Sequence, residues 1–574
     1  MEKYLKPLQK KVLRKNHAVF DIESTEWVKF EMAGFYDGIT YTHCNSMREL
    51  FDVIITEKNR SRIIFAHNGG KFDFLFLLKY LEKVRNIEAK LICQSSRVTA
   101  LKIRHGKQWI TLQDSYTLLA YSLNDLCETF NPATKKLRGV IDFEKEKISK
   151  ENPLHREYLR ADCLSLYEIL QSYKTLPFIK DVGVKLTRSS AGLAAWRTTL
   201  KKPIRTTTQE IQNFVRESYA GGRCEIYRQI GSSARRVDVN SLYPTMMLKP
   251  LPTEHLGPSH RIEEFGFHDV TVEVPECYIP ILWVKTPKLV FPTGRFRGVF
   301  FSEELKLAVI NGAKIIKHHR GEAFTKTDYL FTDFINNAYK MRLENPSPHP
   351  LNILAKDLMN HTYGKFAERE EKKTTLKVNP DDFNTWPKRF KAFHSEKMFK
   401  KTGLIEVETF KRSPHMLCHI SSAITAYGRI HMAENIYLPY QDSILYTDTD
   451  SGDLKGIPPT GTNLGELKHE FNIKNSFYLL PKGYWIELEN GKIIKKLKGF
   501  SKKHLESITY DLFIRGDIKS TEIKLGTMRA NLIRENTFLS LLEYKKSVIS
   551  HYSKRKLLRA GETRPWHYKN GDLK

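Results

Sequence analysis

With 574 residues the chain is too long for one hydrophobic core, and its 41% hydrophobic content is enough for several domains. Its 93 Lys and Arg outnumber its 65 Asp and Glu by 28, an excess that attracts polyanions, of which nucleic acid is the commonest. A membrane surface is the competing partner, but no apolar run reaches the roughly 18 residues of a membrane span. The seven cysteines are scattered without a C-x-x-C pair, which argues against a disulfide framework and fits a reducing compartment.

The first two candidate carboxylates end a predicted buried strand. The segment Ala18–Glu23 is mostly apolar and carries Asp21 and Glu23 two positions apart. Because side chains alternate along an extended strand, the two carboxylates lie on one face. Such a pair alone is more often strand-end solvation than a metal site.

Two further acidic positions are predicted to lie on helices. Residues 63–73 read as a strand, a glycine turn and a helix that opens with Asp73. In the helical pattern 155–172, Tyr158 and Asp162 stand at i and i+4 and share a face. Singly, Asp73 could be a helix cap and Asp162 a surface charge.

Four carboxylates and a tyrosine in this order resemble the 3′–5′ exonuclease domain of family B DNA polymerases. The resemblance implies two metal ions held by the four carboxylates, with Tyr158 orienting the attacking water. It also implies that Phe65 and Asn68 contact the frayed primer end. The protein-primed branch of the family carries a catalytic lysine between these motifs; the matching stretch here has Arg138, with Lys136 as the possible substitute.

A paired-glycine segment follows, Tyr219-Ala220-Gly221-Gly222. Glycines let the backbone turn freely and approach a ligand closely, and an ordinary interdomain linker is equally compatible with them. It resembles the family's Tyr-x-Gly-Gly segment, which joins exonuclease to polymerase. The resemblance implies that Tyr219, Gly221 and Gly222 contact the template strand.

A second candidate metal site is split between two distant stretches. Asp238 heads a strand-like segment, and the neighbouring Val239 carbonyl could complete a metal shell. Near residue 450, apolar residues lead into Asp448 and Asp450, which project to the same side of a strand. A lone Asp-x-Asp is more often a polar hairpin turn. With Asp238, however, the two stretches look like halves of a two-metal phosphoryl-transfer site.

Candidate nucleotide contacts surround this site in the sequence. Tyr243 is a bulky ring that would clash with a 2′-hydroxyl under the incoming sugar, although core packing is the plainer reading. On the predicted helix 350–364, Lys356, Asn360 and Tyr363 share one face and suit triphosphate, backbone and base in turn. An upstream predicted helix, 334–344, could add the cation Arg342.

Three motifs in order resemble the polymerase motifs of family B. They are Asp-x-x-Ser-Leu-Tyr-Pro at 238–244, Lys-x-x-x-Asn-x-x-Tyr-Gly at 356–364 and Tyr-x-Asp-Thr-Asp-Ser at 446–451. His361 departs from the serine usual in the family. Further matches indicate the protein-primed subgroup, the phi-29-like phage and linear-plasmid polymerases, and imply DNA contacts at Thr425, Arg429, Lys482 and Tyr484.

The resemblance implies an α/β multidomain fold, an RNase H-like exonuclease domain plus a right-hand polymerase with two insertions. The predicted division is 1–178 exonuclease, 179–281 palm, 282–331 priming-protein insertion, 332–366 fingers, 367–412 strand-displacement insertion, 413–507 palm and 508–574 thumb. The second insertion is basic, and a solvated loop is its plainer reading. Its basic residues are Lys372, Lys373, Lys377, Lys388, Arg389, Lys391, Lys397, Lys400 and Lys401.

The sequence therefore predicts a strand-displacing, protein-primed DNA polymerase with proofreading. Each active site is expected to use two Mg²⁺ ions, with Mn²⁺ as the alternative. Expected partners are primer–template DNA, dNTPs and a terminal protein, with the chain itself a monomer off the membrane. Residues 1–15 are predicted to be a solvated arm or a weak organelle signal, so the host cytoplasm and an organelle both stay open. The alternatives are a family B polymerase that starts from a nucleic-acid primer and an inactive DNA-binding scaffold.

Overall fold

The computed structural model describes residues 4–9, 16–84, 87–94, 97–106, 108–141, 146–326, 329–377, 396–399, 404–528, 530–531, 538–548, 552–569 and 571–574. Within these ranges, no helix combines the length and the apolar character needed to cross a bilayer. Three large sheets and the helices packed on them organise this part of the chain.

A ten-stranded sheet carries the N-terminal carboxylates. Its strands, in spatial order, are Glu396–Phe399, Leu404–Phe410, Glu371–Lys377, Ile87–Gln94, Arg97–His105, Gln108–Asp114, Ile63–Ala66, His17–Thr25, Lys29–Tyr36 and Tyr41–Cys44. Only the pairings of Ile63–Ala66 with its two neighbours are parallel. The helices Met47–Ile54, Asp73–Leu81, Leu123–Phe130 and Pro153–Thr175 belong to this part of the fold.

The helix Pro153–Thr175 lies directly against the strand His17–Thr25. It begins where the Asn152 side chain accepts a hydrogen bond from the Leu154 amide and Pro153 takes the first turn, where no amide donor is needed. The predicted helix 155–172 is therefore confirmed. Its packing brings Asp162 to the face of the strand that carries Asp21.

The predicted second insertion shares the ten-stranded sheet with the N-terminal part of the chain. Its strand Glu371–Lys377 pairs antiparallel with Ile87–Gln94, with Thr375 opposite Leu91 and Lys377 opposite Ala89. Of the basic residues predicted here, Lys388, Arg389, Lys391, Lys400 and Lys401 lie outside the described residues.

A seven-stranded antiparallel sheet brings the second pair of motifs together. Its order is Cys224–Ile226, Ile444–Asp448, Ser451–Leu454, Ile230–Val239, Leu467–Leu480, Gly483–Leu488 and Ile493–Leu497. The strand that ends after Asp238 therefore lies beside the hairpin of Asp448 and Asp450. The largely buried helix Cys418–Met432 packs on the helices Gln209–Glu217 and Leu242–Met246. The π-helical turn Ala433–Tyr437 that follows it meets this sheet, where the Tyr437 hydroxyl lies 3.2 Å from the Thr447 hydroxyl.

Two helices confirm the predicted pair in the middle of the chain. Thr332–Glu344 and Pro350–Thr362 pack together, and Arg188–Thr199 packs on the second of them. Gly192 permits that close approach, since a Cβ there would lie 2.2 Å from the Thr362 hydroxyl oxygen. A 3-10 turn, Tyr363–Ala367, closes the pair.

A six-stranded sheet joins distant segments. Its order is His255–Pro258, Lys314–Phe324, Gly266–Val274, Thr293–Phe301, His567–Lys569 and Asp572–Leu573. Residues 255–274, predicted to belong to the palm, thus share a sheet with the predicted first insertion. The chain end, predicted to belong to the thumb, lies on that same sheet. The preceding segment forms the helices Lys502–Glu506 and Tyr510–Arg515 and the hairpin Lys519–Leu525 with Leu541–Ser547.

The remaining elements are short. They are the helices Ile179–Val182, Gln209–Glu217, Leu242–Met246 and Ser302–Ile310, the 3-10 turns Glu57–Ser61, Gly69–Lys71, Ser115–Thr117 and Arg559–Gly561, and the strand pairs Tyr4–Leu5 with Ile204–Arg205, Val284–Lys285 with Leu289–Val290, and Lys556–Leu557 with Thr563–Arg564.

Candidate metal centres and nucleic-acid interface

Three of the four N-terminal carboxylates converge. One oxygen each from Asp21, Glu23 and Asp162 lies within 4.8 Å of the others. Burial and the charge of Asp162 raise the pKa of Asp21 to about 7. Burial also raises the pKa values of Glu23 and Asp162. Carboxylates that crowd at this distance are stabilised by a cation between them, and their oxygens are the ligands that Mg²⁺ prefers.

Asp73 lies beside this cluster. Its Oδ1 accepts a 2.9 Å hydrogen bond from the backbone amide of Ile22, the residue between Asp21 and Glu23. Burial, and next the charge of Asp21, raise its pKa. As predicted from the sequence, Asp73 opens a helix, Asp73–Leu81.

The basic partner of the cluster is Lys136. Its ammonium donates to the Asp162 carboxylate and, at 2.7 Å, to the Tyr158 hydroxyl, and it lies 4.3 Å from the centre of the Tyr158 ring. Arg138 instead donates to Asn124 and forms an exposed ion pair with Glu128. Of the two candidates for the missing lysine, the structure thus places Lys136 at the carboxylates.

The two residues predicted to meet a primer end differ in exposure. Phe65 is fully buried, because it points from the strand Ile63–Ala66 into the core; the prediction that it contacts DNA is therefore wrong. Asn68 is exposed, has a left-handed backbone, and its Oδ1 accepts a 2.7 Å hydrogen bond from Arg97. Phe72, which was not among the predicted site residues, lies next to Asp73 in the chain. The Phe72 ring lies 6.2 Å from that of the exposed Trp27.

The second carboxylate group forms between the strand of Asp238 and the hairpin. Asp448 ends the strand Ile444–Asp448 and Asp450 lies in the turn that follows, so the prediction that both project from one side of a strand is wrong. Asp238 stands opposite Ser451 in the ladder, and the Val239 amide donates a 2.8 Å hydrogen bond to the Asp450 carbonyl oxygen. Between the aspartates of the hairpin, Thr449 takes a left-handed φ of 67°. Burial and the charge of Asp238 raise the pKa of Asp450 to about 6. Asp238 thus shares one site with Asp448 and Asp450, which lie 210 and 212 residues further along the chain.

Each of two aspartates in this group binds a lysine. Lys468 Nζ lies 3.1 Å from Asp238 Oδ1, and Lys482 Nζ lies 2.9 Å from Asp448 Oδ1. Lys482 was among the predicted DNA contacts, but Lys468 was missed. Lys468 stands opposite Asp238 in the strand ladder, and this register becomes visible only in the structure.

The predicted nucleotide contacts gather around the same site. The rings of Tyr243 and Tyr363 lie 4.8 Å apart, so two motifs distant in sequence meet. Arg342 donates a 3.1 Å hydrogen bond to the Ser241 hydroxyl. Lys356 and Asn360 are exposed on the helix that leads to Tyr363. The tyrosine contact joins the motif of Asp238 to that of Lys356, and the nucleotide contacts themselves stay a prediction.

The paired glycines abut the Asp448–Asp450 turn. A Cβ on Gly222 would lie 2.8 Å from Thr449 Cγ2, and the Thr449 amide donates to the Arg223 carbonyl oxygen at 2.8 Å. Gly221 is exposed, and Tyr219 is partly buried. The segment is therefore part of the site wall, which an ordinary linker would not be.

Three predicted DNA contacts are buried, and the prediction of direct contact is wrong for them. Thr425 is in the core. The Arg429 guanidinium donates to both oxygens of Glu304 and to the Ala220 and Gly221 carbonyls. The Tyr484 hydroxyl accepts a 3.0 Å hydrogen bond from Arg236. Of the three, Arg429 holds the paired-glycine segment through its hydrogen bonds to the Ala220 and Gly221 carbonyls.

Comparison with known proteins matches residues 55–154 and 139–441 to the model of the type B, organellar and viral DNA polymerases. A probable DNA polymerase of Ascobolus immersus is 24% identical over 82% of this chain, and the DNA-directed DNA polymerase of Enterobacteria phage PRD1 is 26% identical over 75%. The chain spans 45% of the Ascobolus protein and 75% of the phage protein.

Among solved structures, Phi29 DNA polymerase complexed with primer-template DNA and incoming nucleotide matches with a TM-score of 0.75 at 19% identity. The match covers 93% of this chain and all of that one. The likeness confirms the predicted fold class, a multidomain α/β architecture of the phi-29 type. Together with the matched motifs, it identifies the chain as a member of the organellar and viral type B DNA polymerases.

Proposed function

We propose that the chain is a template-directed DNA polymerase with a separate 3′–5′ exonuclease site. The main-chain hydrogen bond from Val239 to Asp450 carries the proposal, because it fixes Asp238 beside the hairpin carboxylates. A second carboxylate group, around Asp21, lies on a different sheet. Two separate acidic sites in one chain suit the addition of nucleotides at the 3′ end of a strand and their removal from the same end.

At the polymerising site, Asp238 and Asp450 would hold both divalent ions, with Asp448 nearby and the Val239 carbonyl completing the shell. These donors are all hard oxygen ligands, so they fit Mg²⁺ or Mn²⁺. Bound there, the ions supply activation of the attacking hydroxyl and neutralisation of the leaving pyrophosphate. The protein's own part is to hold the carboxylates in register through the strand ladder.

The incoming dNTP would lie against the Tyr243–Tyr363 pair. Lys356 and Arg342 would neutralise its triphosphate, and Asn360 would contact the nucleic-acid backbone. The 4.8 Å ring contact leaves Tyr243 backed by Tyr363, so the ring cannot move away from a 2′-hydroxyl without moving its neighbour. This packing supports selection of deoxyribonucleotides.

Primer–template DNA would pass the Tyr219–Gly222 wall and Lys482. At the exonuclease site, Asp21, Glu23, Asp73 and Asp162 would hold the metals, and Tyr158 would orient water. Lys136 takes the role first considered for Arg138, since it contacts both Tyr158 and Asp162. Asn68 and the exposed Trp27 would receive the frayed end.

Protein priming, strand displacement and a monomeric state belong to the same proposal. They rest on the motifs that resemble the protein-primed subgroup, and the pairing of Glu371–Lys377 with Ile87–Gln94 supports a link between the second insertion and the sheet of the Asp21 group. The partner would be a terminal protein, and the setting a phage or plasmid replicon in a host cell or an organelle. Transfer of the labelled nucleoside monophosphate of a dNTP to the terminal protein, with release of pyrophosphate, would support priming by protein. Extension of DNA primers alone would favour the nucleic-acid-primed alternative.

The decisive experiment compares two aspartate variants with a matched control. Asp450→Asn should lower nucleotide incorporation at least about 10²-fold and leave degradation of single strands intact, and Asp21→Asn should do the reverse. Asp442→Asn removes an exposed carboxylate just before the same hairpin and should change neither activity. Equal background activity in all of the proteins would favour the inactive scaffold.

A further inference from the structure

Lys468 is a cation built into the polymerising site. It lies on the strand Leu467–Leu480, directly across the ladder from Asp238. Its ammonium is 3.1 Å from Asp238 Oδ1 and 3.5 Å from a carboxylate oxygen of Glu470. The Lys468 side chain is 46% exposed, so it can leave Asp238 without breaking the core.

The two carboxylate groups differ in how their charge is balanced. Around Asp21, three carboxylates converge within 4.8 Å, and Lys136 binds only one of them. Over the described part of the chain, that is the one such convergence, and the Asp238 group does not form it. There, Asp238 and Asp448 each bind a lysine of their own.

An ammonium and a divalent ion that neutralise the same carboxylate oxygen compete for it. We propose that Lys468 is an internal competitor for the divalent ion at Asp238, and that it sets the metal affinity of the polymerising site. This inference rests on the proposed function of that site. When the ion binds Asp238, the ammonium retains Glu470 as its partner, which keeps Lys468 close enough to return.

Lys468 acts here as a positioning residue, through Asp238. Loss of its charge should tighten divalent-ion binding at this site. The expected change is about two- to fivefold, because water screens a half-exposed ion pair. Lys468→Arg keeps the positive charge and should stay close to the parent protein.

The experiment measures binding of Mn²⁺ alone by electron paramagnetic resonance. All proteins carry Asp21→Asn and Asp162→Asn, so that binding reports the polymerising site. Lys468→Met is compared with Lys474→Met, a matched control on the same strand. Lys474 is similarly exposed and binds Glu487 at 2.7 Å, away from the carboxylate group.

Tighter Mn²⁺ binding in Lys468→Met, with Lys474→Met and Lys468→Arg unchanged, supports the proposal. Equal binding in Lys468→Met and Lys474→Met overturns it. Weaker binding in Lys468→Met also overturns it. Asp238→Asn in the same background must abolish part of the binding; if it does not, the proposed function of the site fails, whatever Lys468 does.

Discussion

Arg236 and Asp453 form a buried ion pair with two parallel hydrogen bonds of 2.7 Å, beneath the site that holds Asp238 and Asp450. Arg236 lies two residues before Asp238 on one strand, and Asp453 lies three residues after Asp450 on the next. Tyr478 also donates to Asp453 at 2.7 Å. The pair therefore ties the strand of Asp238 to the hairpin of Asp448 and Asp450.

Replacing one partner of this pair should be strongly destabilising. Asp453→Asn leaves the Arg236 charge buried with no carboxylate, and we expect a loss of about 3–5 kcal/mol in the free energy of unfolding. Denaturant unfolding followed by tryptophan fluorescence measures it. Glu487→Gln breaks the exposed pair with Lys474 and should cost less than about 1 kcal/mol. Equal losses in the two variants would contradict this view of the buried pair.

A methyl group on Gly222 should disturb polymerisation selectively. Its Cβ would meet Thr449 Cγ2 at 2.8 Å and Thr449 Cα at 3.1 Å, so the turn between Asp448 and Asp450 must shift. We expect Gly222→Ala to lower nucleotide incorporation by about tenfold or more, because small displacements of catalytic groups are costly. Degradation of single-stranded DNA should not change.

Gly221→Ala is the matched control for that measurement. A Cβ at Gly221 has no neighbour within 4 Å, so this variant should incorporate nucleotides like the parent protein. Similar losses in the two alanine variants would mean that the flexibility of the segment, and not the contact with Thr449, limits synthesis.

Variants of Lys136 and Arg138 should show which of these two residues takes the role of the predicted exonuclease lysine. Lys136→Met removes the cation that contacts Tyr158 and Asp162, and we expect release of 3′ nucleotides to fall about 10²-fold. Arg138→Met breaks only exposed contacts, with Asn124 and Glu128, and should leave the rate unchanged. Degradation of a labelled oligonucleotide measures both. A larger loss in Arg138→Met would reverse the assignment.

Local pattern was enough to predict the helices and the carboxylates that end strands. The helices Pro153–Thr175, Thr332–Glu344 and Pro350–Thr362 follow from apolar period, and the last also from the proline at its start. The convergence of Asp238 with Asp450 was inferred from motif order. It could not come from local pattern, because the two lie on strands far apart in the chain.

The predictions that were wrong or missing concern strand register and burial. Phe65 follows the alternation of a strand with neighbours on both sides, so its ring is in the core although a polar loop follows at once. Arg429 was predicted to contact DNA, yet Glu304 on another helix neutralises it. The pairing of Glu371–Lys377 with Ile87–Gln94, and the place of Lys468 opposite Asp238, leave no local signal in the sequence.

His419 should make the stability of the chain depend on pH. It is fully buried, stacks 4.9 Å from Phe324, and burial lowers its pKa from 6.5 to about 3. The unfolded chain therefore binds this proton below pH 6.5, whereas the folded chain does not until about pH 3. The contribution to stability is complete above pH 6.5 and is lost progressively as the pH falls through that window.

His419→Leu removes the titrating ring, so the free energy of unfolding, measured in denaturant between pH 7 and pH 5, should fall less steeply than in the parent. His469→Leu replaces an exposed histidine and should keep the parent slope, and a His419→Leu slope equal to it would show that other groups set the acid sensitivity.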